Sequence, residues 1–179
     1  MKVLTAPNII TFIRIVLIPV FVTALVYRRY EYALLLFIAA AVTDALDGLL
    51  ARVTNQKTEL GAFLDPLADK FLLVTSFILF SVYGWIPTWL SITVISRDLI
   101  VTLGWVILYL LSHLTRVEPS VVGKAAIASQ LVLIAYTLLA VNYPRIPLPG
   151  SGAAWIVALL TIFSGVQYVY RGLKDAGAK

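Results

Sequence analysis

Residues 32 to 53 read YALLLFIAAAVTDALDGLLARV, and two features of this stretch decide the fold. Its length and apolar content meet the requirement of a helix crossing a bilayer, roughly 20 mostly apolar residues. Yet it carries Asp44 and Asp47. An ionised carboxylate within such a span costs at least roughly 2.5 kcal/mol, so it is there for a reason other than packing. The next apolar stretch repeats the anomaly with Asp65 and Asp69.

Working outward, the spans expected from hydropathy run approximately over 8–28, 32–53, 60–83, 87–111, 121–141 and 152–172. The gaps between them are short and hold turn-forming or charged residues: Arg28 to Glu31, Thr54 to Lys57, Tyr83 to Pro87, Ser112 to Ser120, and Asn142 to Ser151 with its three prolines. Short gaps make neighbouring helices antiparallel. The expectation is an all-α integral membrane bundle of six transmembrane helices, forming a single domain over residues 1–179. Met1 to Pro7 read equally well as a short helix lying in the interface or as a plain helix start. The first span carries Arg14 and Pro19 without a clear small-residue cleavage site, so it reads as retained rather than as a cleaved signal.

Composition supports the same solvent. Of 179 residues, 61% are hydrophobic and 13% charged, against about 45–50% and about 25% in soluble domains. A soluble core of this size has no way to hide that much apolar surface. Cysteine is absent and His113 is the lone histidine, which excludes disulfides, thiolate metal sites and histidine-rich metal sites. Any metal is therefore held by oxygen. The net charge of +5 reads as membrane topology and headgroup contact rather than nucleic-acid binding, because the basic residues fall mainly between apolar segments.

Those basic residues orient the chain. Lys2, Arg52, Lys57, Arg116, Lys124, Arg171, Lys174 and Lys179 belong to one side, whereas only Arg28, Arg29 and Arg145 belong to the other. Arg14, Lys70 and Arg97 lie inside spans. The positive-inside rule then makes both termini cytoplasmic and puts the connection between the second and third spans, which the aspartates flank, at the same face.

Spacing decides what the aspartates can do. Asp44, Asp47 and Ala51 are three and four residues apart, and Gly61, Asp65 and Asp69 are four and four apart, so each set shares one helical face. Two antiparallel helices joined by a short loop bring the faces together. Four carboxylates are neutralised by two divalent cations, and all-oxygen ligation suits magnesium, manganese or calcium rather than zinc or copper. Gly48 and Gly61 leave room for a ligand beside the backbone, and Pro66 is placed to bend the helix at Asp65. A single membrane aspartate reads as readily as a helix–helix hydrogen bond or a proton relay. Four in register with two glycines and Arg52 favour a metal site.

The string Asp44-x-x-Asp47-Gly48-x-x-Ala51-Arg52, then eight residues, then Gly61-x-x-x-Asp65-x-x-x-Asp69 resembles the complete signature of the CDP-alcohol phosphotransferases, with eight specified residues in 26. The resemblance implies six spans with cytoplasmic termini over the whole chain. It also implies a reaction in which an alcohol hydroxyl attacks the β-phosphorus of a CDP-linked lipid and releases CMP. Asp44, Asp47, Asp65 and Asp69 would ligate two cations, magnesium or manganese with calcium as an alternative occupant, and Asp69 would act as base. Gly48, Ala51, Arg52 and Gly61 would line the nucleotide pocket, with Asn8 and Thr11 as further candidates that serve equally as helix-start residues. Metal ions stabilise charge on a transferring phosphoryl group, which fits this chemistry.

Within that family, Pro7 to Arg14 and Asp65-Pro66-Leu67-Ala68-Asp69-Lys70 resemble the bacterial phosphatidylglycerophosphate synthases, and Ser96-Arg97-Asp98 and Pro119 to Lys124 match them more loosely. The resemblance implies CDP-diacylglycerol and glycerol 3-phosphate as substrates, membrane lipid as surroundings, no nucleic acid, a homodimer, and residence in the cell (inner) membrane with the site facing the cytoplasm. A dianionic acceptor needs cationic clamps, for which Arg97, Arg116 and Lys124 are the candidates. Arg97 has a competing reading as one half of a buried ion pair. Asp98 looks a poor partner for it, since adjacent helical residues diverge. Arg116 and Lys124 serve equally as topology determinants.

Other acceptors, phosphatidylglycerol or an inositol phosphate, fit the same chemistry. An ion-coupled transporter is the alternative of a different class, and it calls for broken helices or inverted repeats that the sequence does not display. Trp85, Trp89, Trp155, Tyr27, Tyr30, Tyr32 and Tyr143 fall at span ends as an aromatic belt does. Lys70 either tunes the aspartates or snorkels to the interface.

Overall fold

The computed structural model describes residues 6–54, 59–112 and 120–177; over 6–12, Arg14, 44–54, 59–69, Trp105, 107–112 and 173–177 it describes backbone alone. The described residues form six helices and no strand: α1 (Ala6–Val26), α2 (Tyr30–Thr54), α3 (Glu59–Val82), α4 (Thr88–Ser112), α5 (Val121–Asn142) and α6 (Ser151–Gly177). Ala6 and Pro7 belong to the first turn of α1, while Met1 to Thr5 lie outside the described residues. Pro66 lies within α3, which continues through it.

Helix ends follow local chemistry. At the end of α1 the Arg28 N–H donates to the Leu25 carbonyl and the Arg29 N–H to the Ala24 carbonyl, with Arg28 at φ 58°. This is a Schellman cap, whose left-handed residue is usually glycine. The end of α3 repeats the pattern with the expected residue: Gly84, at φ 72°, donates to Ser81, and Trp85 to Phe80. Ser120 caps α5 by accepting the Gly123 N–H at 3.0 Å.

Among the described residues α1 packs on α2 and α3, α5 packs on the same two, and α4 and α6 pack on each other. α3 also meets α4, and α5 meets α6. The bundle is thus two four-helix rings, α1-α2-α5-α3 and α3-α4-α6-α5, sharing α3 and α5. Phe21, Leu25, Phe77, Phe80, Leu90, Ile134 and Leu138 fill the interior. Small buried residues, among them Ala33, Ala40, Ala126, Ala154 and Ala158, let the backbones approach closely.

The outside is as apolar as the inside: Leu35, Val82, Leu99, Leu103, Val132, Ile156, Phe163 and Val166 are all exposed. Polar groups turn inward instead, with Ser76, Ser91, Gln130, Thr137 and Thr161 buried. This inversion of the soluble pattern is what a lipid solvent selects. Val121–Asn142 and Ser151–Gly172 are each long and apolar enough to cross a membrane, and Ile15–Val26, Tyr30–Thr43 and Lys70–Val82 are shorter apolar helical stretches. The inward hydroxyls are satisfied within their helices or across them: Thr137 donates to the Leu133 carbonyl, Ser91 to the Phe77 carbonyl at 2.8 Å, and the Gln130 amide to Thr161 at 2.9 Å.

Aromatic residues tie together the end of the bundle that holds the α1–α2, α3–α4 and α5–α6 turns. Trp85 packs on Tyr30, Phe80 and Tyr83 at ring-centroid distances of 5.1, 5.2 and 5.0 Å. Tyr83 donates to the Leu25 carbonyl and Asn142 to the Tyr30 carbonyl. Trp89 stacks on Trp155 at 4.7 Å. The expected belt is therefore also a clamp joining α1, α2, α3 and α5.

Candidate active site

The aspartate-bearing segments are helical as expected: Asp44 and Asp47 lie on α2, Asp65 and Asp69 on α3. Asp44 and Asp47 follow the buried Phe37 and Ala40 by seven residues, and Asp65 and Asp69 precede the buried Leu72 and Ser76 by seven. Seven residues is close to two turns, so all four positions lie in register with the inward faces of their helices. Their side chains, with those of Gly48, Ala51, Arg52, Gly61, Asn8 and Thr11, fall outside the described residues, as do Arg116 and His113 entirely. The donor set itself fits a metal: four carboxylates at helical spacing, with neither thiolate nor imidazole beside them in sequence, suit hard divalent cations.

Immediately after Asp69, the half-buried Lys70 donates through Nζ to the Thr102 hydroxyl of α4, and Thr102 donates to the Asp98 carbonyl at 2.7 Å. The turn of α3 that carries Asp69 is thereby fastened to the turn of α4 that carries Arg97 and Asp98. Lys70 reaches a neighbouring helix rather than the interface.

Arg97 is the centre of a second constellation. Nη1 donates to Asp98 Oδ1 at 2.8 Å and Nη2 to Ser164 Oγ of α6 at 2.5 Å, with side-chain exposures of only 11% for Arg97 and 9% for Asp98. This corrects the expectation that Asp98 is a poor partner. Neighbouring Cα–Cβ vectors do diverge by about 100° on a helix, but the arginine stem is long enough for the guanidinium to swing back onto the adjacent carboxylate. The pairing does not exhaust the group. A guanidinium has five N–H donors, and among the described residues the buried Nε–H of Arg97 has no partner. An orphan charged donor in a low-dielectric interior calls for an acceptor.

Small residues shape the surroundings. A Cβ on Gly165 would lie 3.2 Å from Arg97 Cγ, and one on Gly123 would lie 3.5 Å from Ser164 Oγ and 3.8 Å from Arg97 Nη2. The second relation brings the N-terminal turn of α5 beside the guanidinium. That turn contributes the positive end of its dipole, so charge and dipole favour an anion in the same place. Lys124, the next residue of α5, is exposed, and its N–H bonds the Ser120 carbonyl. Sequence alone does not mark Ser164, Gly165 and Thr102 as part of a site, and Gly123 enters only within the Pro119 to Lys124 string. The detectable signal was Ser164-Gly165, a small polar pair within an apolar helix. Gly104, whose packing partner sequence leaves open, sits against α6, where a Cβ would meet Tyr168 at 3.5 Å.

An apolar helical bundle with four aspartates at helical spacing on two helices and a buried cation beside a helix N-terminus fits the class of enzymes that handle phosphate esters at a bilayer. The chain belongs to the CDP-alcohol phosphatidyltransferase family, whose model matches residues 4–167. A probable phosphatidylglycerophosphate synthase of Mycobacterium tuberculosis (strain ATCC 25618 / H37Rv) is 35% identical, with 98% of this chain and 85% of that protein covered. CDP-diacylglycerol–glycerol-3-phosphate 3-phosphatidyltransferases of Escherichia coli (strain K12) and Salmonella typhimurium (strain LT2) are 35% and 34% identical. The alignments cover 94% and 91% of this chain and 95% and 92% of those proteins. The protein is thus a transferase of phospholipid biosynthesis, in a family that generally depends on divalent metal.

Proposed function

We propose that the enzyme transfers the phosphatidyl group of CDP-diacylglycerol to glycerol 3-phosphate, giving phosphatidylglycerophosphate and CMP. Relatives named for that reaction align over almost their whole length. The observation that carries the acceptor assignment is the Arg97 constellation: a buried guanidinium with an orphan Nε–H, beside the N-terminus of α5 and tied through Thr102 and Lys70 to the Asp69 turn. It supports a phosphate-bearing acceptor held close to the carboxylates, with Lys124 and Arg116 as further cationic contacts. An acceptor without phosphate leaves the Nε–H of Arg97 unmatched, since Asp98 and Ser164 engage only the two terminal nitrogens.

In this reading Asp44, Asp47, Asp65 and Asp69 hold two divalent cations, magnesium or manganese. When bound, these supply the positive charge that offsets charge on the transferring phosphate and the departing CMP. Gly48, Ala51, Arg52 and Gly61 line the nucleotide pocket, with Asn8 and Thr11 at its edge. Asp69 accepts the proton of the attacking hydroxyl as the new O–P bond forms at the β-phosphorus. The bond from that phosphorus to the bridging oxygen breaks, and CMP leaves with the electron pair. Arg97 fixes the acceptor phosphate so that the hydroxyl is presented to the lipid phosphate.

All six helices span the cell (inner) membrane in this reading, with cytoplasmic termini and the site open to the cytoplasm, and the enzyme is a homodimer. The lipid donor stays in the bilayer while the polar acceptor arrives from water. The experiment is CMP release from CDP-diacylglycerol by the purified enzyme with glycerol 3-phosphate, phosphatidylglycerol and inositol phosphate offered in turn. Turnover with glycerol 3-phosphate is expected. Turnover only with another acceptor overturns the choice of acceptor, and ion flux in sealed vesicles without dependence on CDP-lipid overturns the transferase reading.

A further inference from the structure

At the end of the bundle that carries the aromatic clamp, α1 and α2 leave an open groove of about 760 Å³ on the outer surface. Its walls are apolar, formed by Val20 and Ala24 of α1 and by Leu35, Leu36 and Ala39 of α2. Its mouth is not, because Arg29 lines it together with Tyr27 and Tyr32, which are 73% and 61% exposed. From Arg29, the residue before α2, the groove runs along that helix to Ala39, ten residues and about 15 Å at 1.5 Å per residue. That is half of a hydrocarbon core of about 30 Å, the depth of one leaflet.

Beside the charge at the mouth a second arginine is held against backbone preference. Arg28, next to Arg29, occupies the left-handed cap position that α3 fills with Gly84. Among the described residues neither Arg28 nor Arg29 makes an ion pair, and both are exposed. Arg29 and two tyrosines therefore crown an apolar slot one leaflet deep, with Arg28 next to Arg29 in the chain.

We propose that this groove is a binding site for an anionic phospholipid of the leaflet at the α1–α2 turn. The phosphate lies against Arg29 and Arg28, and an acyl chain runs down between α1 and α2 toward Ala39. The apolar walls accept any acyl chain, so selectivity comes from the paired arginines and is electrostatic. The site is separate from the carboxylates, which begin on α2 five residues beyond Ala39, and it does not depend on which alcohol the enzyme uses.

The test is retention of lipid by the full-length protein after extraction from vesicles of equimolar phosphatidylglycerol and phosphatidylcholine, read by native mass spectrometry. The intact protein is expected to retain one phosphatidylglycerol in at least about fivefold preference. Arg29→Gln is expected to reduce that preference about fivefold, the equivalent of roughly 1 kcal/mol per basic residue near a lipid surface. Arg28→Gln is expected to do the same, and Leu36→Trp, which fills the slot, to abolish retention of both lipids. Equal retention of the two lipids by the intact protein, or an unchanged preference in Arg29→Gln, overturns the proposal. The chain has no cysteine, so Leu35→Cys gives a single reporter. Efficient disulfide formation between copies in the vesicle would put a second protomer in the groove and also overturn the proposal, whereas labelling without cross-linking agrees with lipid occupancy.

Discussion

Asp98→Asn separates a clamp from a mere filler at the buried guanidinium. Asp98 and Arg97 are each about nine-tenths buried as side chains and joined at 2.8 Å. Removing a partner from a buried pair outright costs about 3–5 kcal/mol, because a charge is left uncompensated. Asparagine keeps an oxygen acceptor at nearly the same place, so the loss falls to that of a hydrogen bond to a charged group, about 1.5–3 kcal/mol. Ser164 alone then holds Nη2, and the guanidinium is free to leave the orientation in which its Nε–H waits for an acceptor. If that orientation serves the acceptor phosphate, the same 1.5–3 kcal/mol appears as a loss of roughly 10- to 150-fold in kcat/KM for glycerol 3-phosphate. The assay is CMP release with glycerol 3-phosphate varied at saturating CDP-diacylglycerol, then the reverse. A higher KM for the acceptor is expected, with the KM for the lipid changed by less than about twofold. A lowered melting temperature with an unchanged acceptor KM would refute the reasoning, since Asp98 would then only neutralise Arg97. A lower acceptor KM would refute it from the other side, by showing that carboxylate and phosphate compete for the same N–H groups.

Asp69→Asn is expected to reduce turnover by at least about 10²-fold, the usual contribution of a general base, while cytidine nucleotide affinity falls less than in Asp44→Asn; wild-type turnover in Asp69→Asn removes the base assignment. Chelation should abolish CMP release, with magnesium or manganese restoring it and zinc failing to do so, because an all-carboxylate set favours hard cations; activity that survives chelation contradicts the metal site. Gly165→Ala forces Arg97 Cγ away from a Cβ at 3.2 Å. A side chain pushed off its rotamer costs about 0.5–1.5 kcal/mol, expected as a lower thermal midpoint and a raised acceptor KM, and an acceptor KM equal to wild type would detach Gly165 from the site. Arg28→Gly relieves a left-handed residue at a cap already built for glycine. It should raise thermal stability by about 1 kcal/mol, so a destabilised variant would show that the arginine side chain contributes more to the fold than its backbone costs.

Much of this fold is legible in hydropathy because lipid imposes a simple rule: about 20 apolar residues per crossing and short polar turns. Five helices begin and end within two residues of the expected limits. The sixth, expected to end near 172, continues to Gly177. Its last turn carries Lys174 and Asp175, and hydropathy reads contact with lipid, not helix. Pairing between helices is much less legible. α2 and α3 are consecutive, with only four residues between them in sequence, yet among the described residues each packs on α1 and α5 rather than on the other. Nothing in either sequence favours one apolar partner over another, since between lipid-bathed helices the choice rests on shape. The same limit explains why Asp98 looks a poor partner for Arg97 in sequence. Helical angles place Cβ atoms, but a long side chain has several bonds with which to cancel a 100° divergence. Ser164 and Gly123, more than 60 and more than 20 residues away in the chain, become its neighbours only through the packing of α6 and α5 on α4 and α6.

The division of labour along the bundle axis follows from what each end must do. Carboxylates on apolar helices and a buried guanidinium do not stabilise a membrane fold, since taking such charges out of water carries a desolvation cost. The end that bears them must therefore be held from elsewhere. The opposite end supplies the hold: Trp85 wedged among Tyr30, Phe80 and Tyr83, and side chains of Tyr83 and Asn142 bonded to backbone carbonyls of other helices. These contacts are made by rings and neutral dipoles, whose packing and hydrogen bonds do not depend on ionisation or on metal. A bundle fixed there keeps α2 and α3 in place against α1 and α5 while charge and ligands change at the other end. Among the described residues, adjacency at that end rests on the Lys70–Thr102 contact and on Arg97 with Ser164. The bonds nearest the proposed site among the described residues are charged, which is where substrate binding has most leverage over structure.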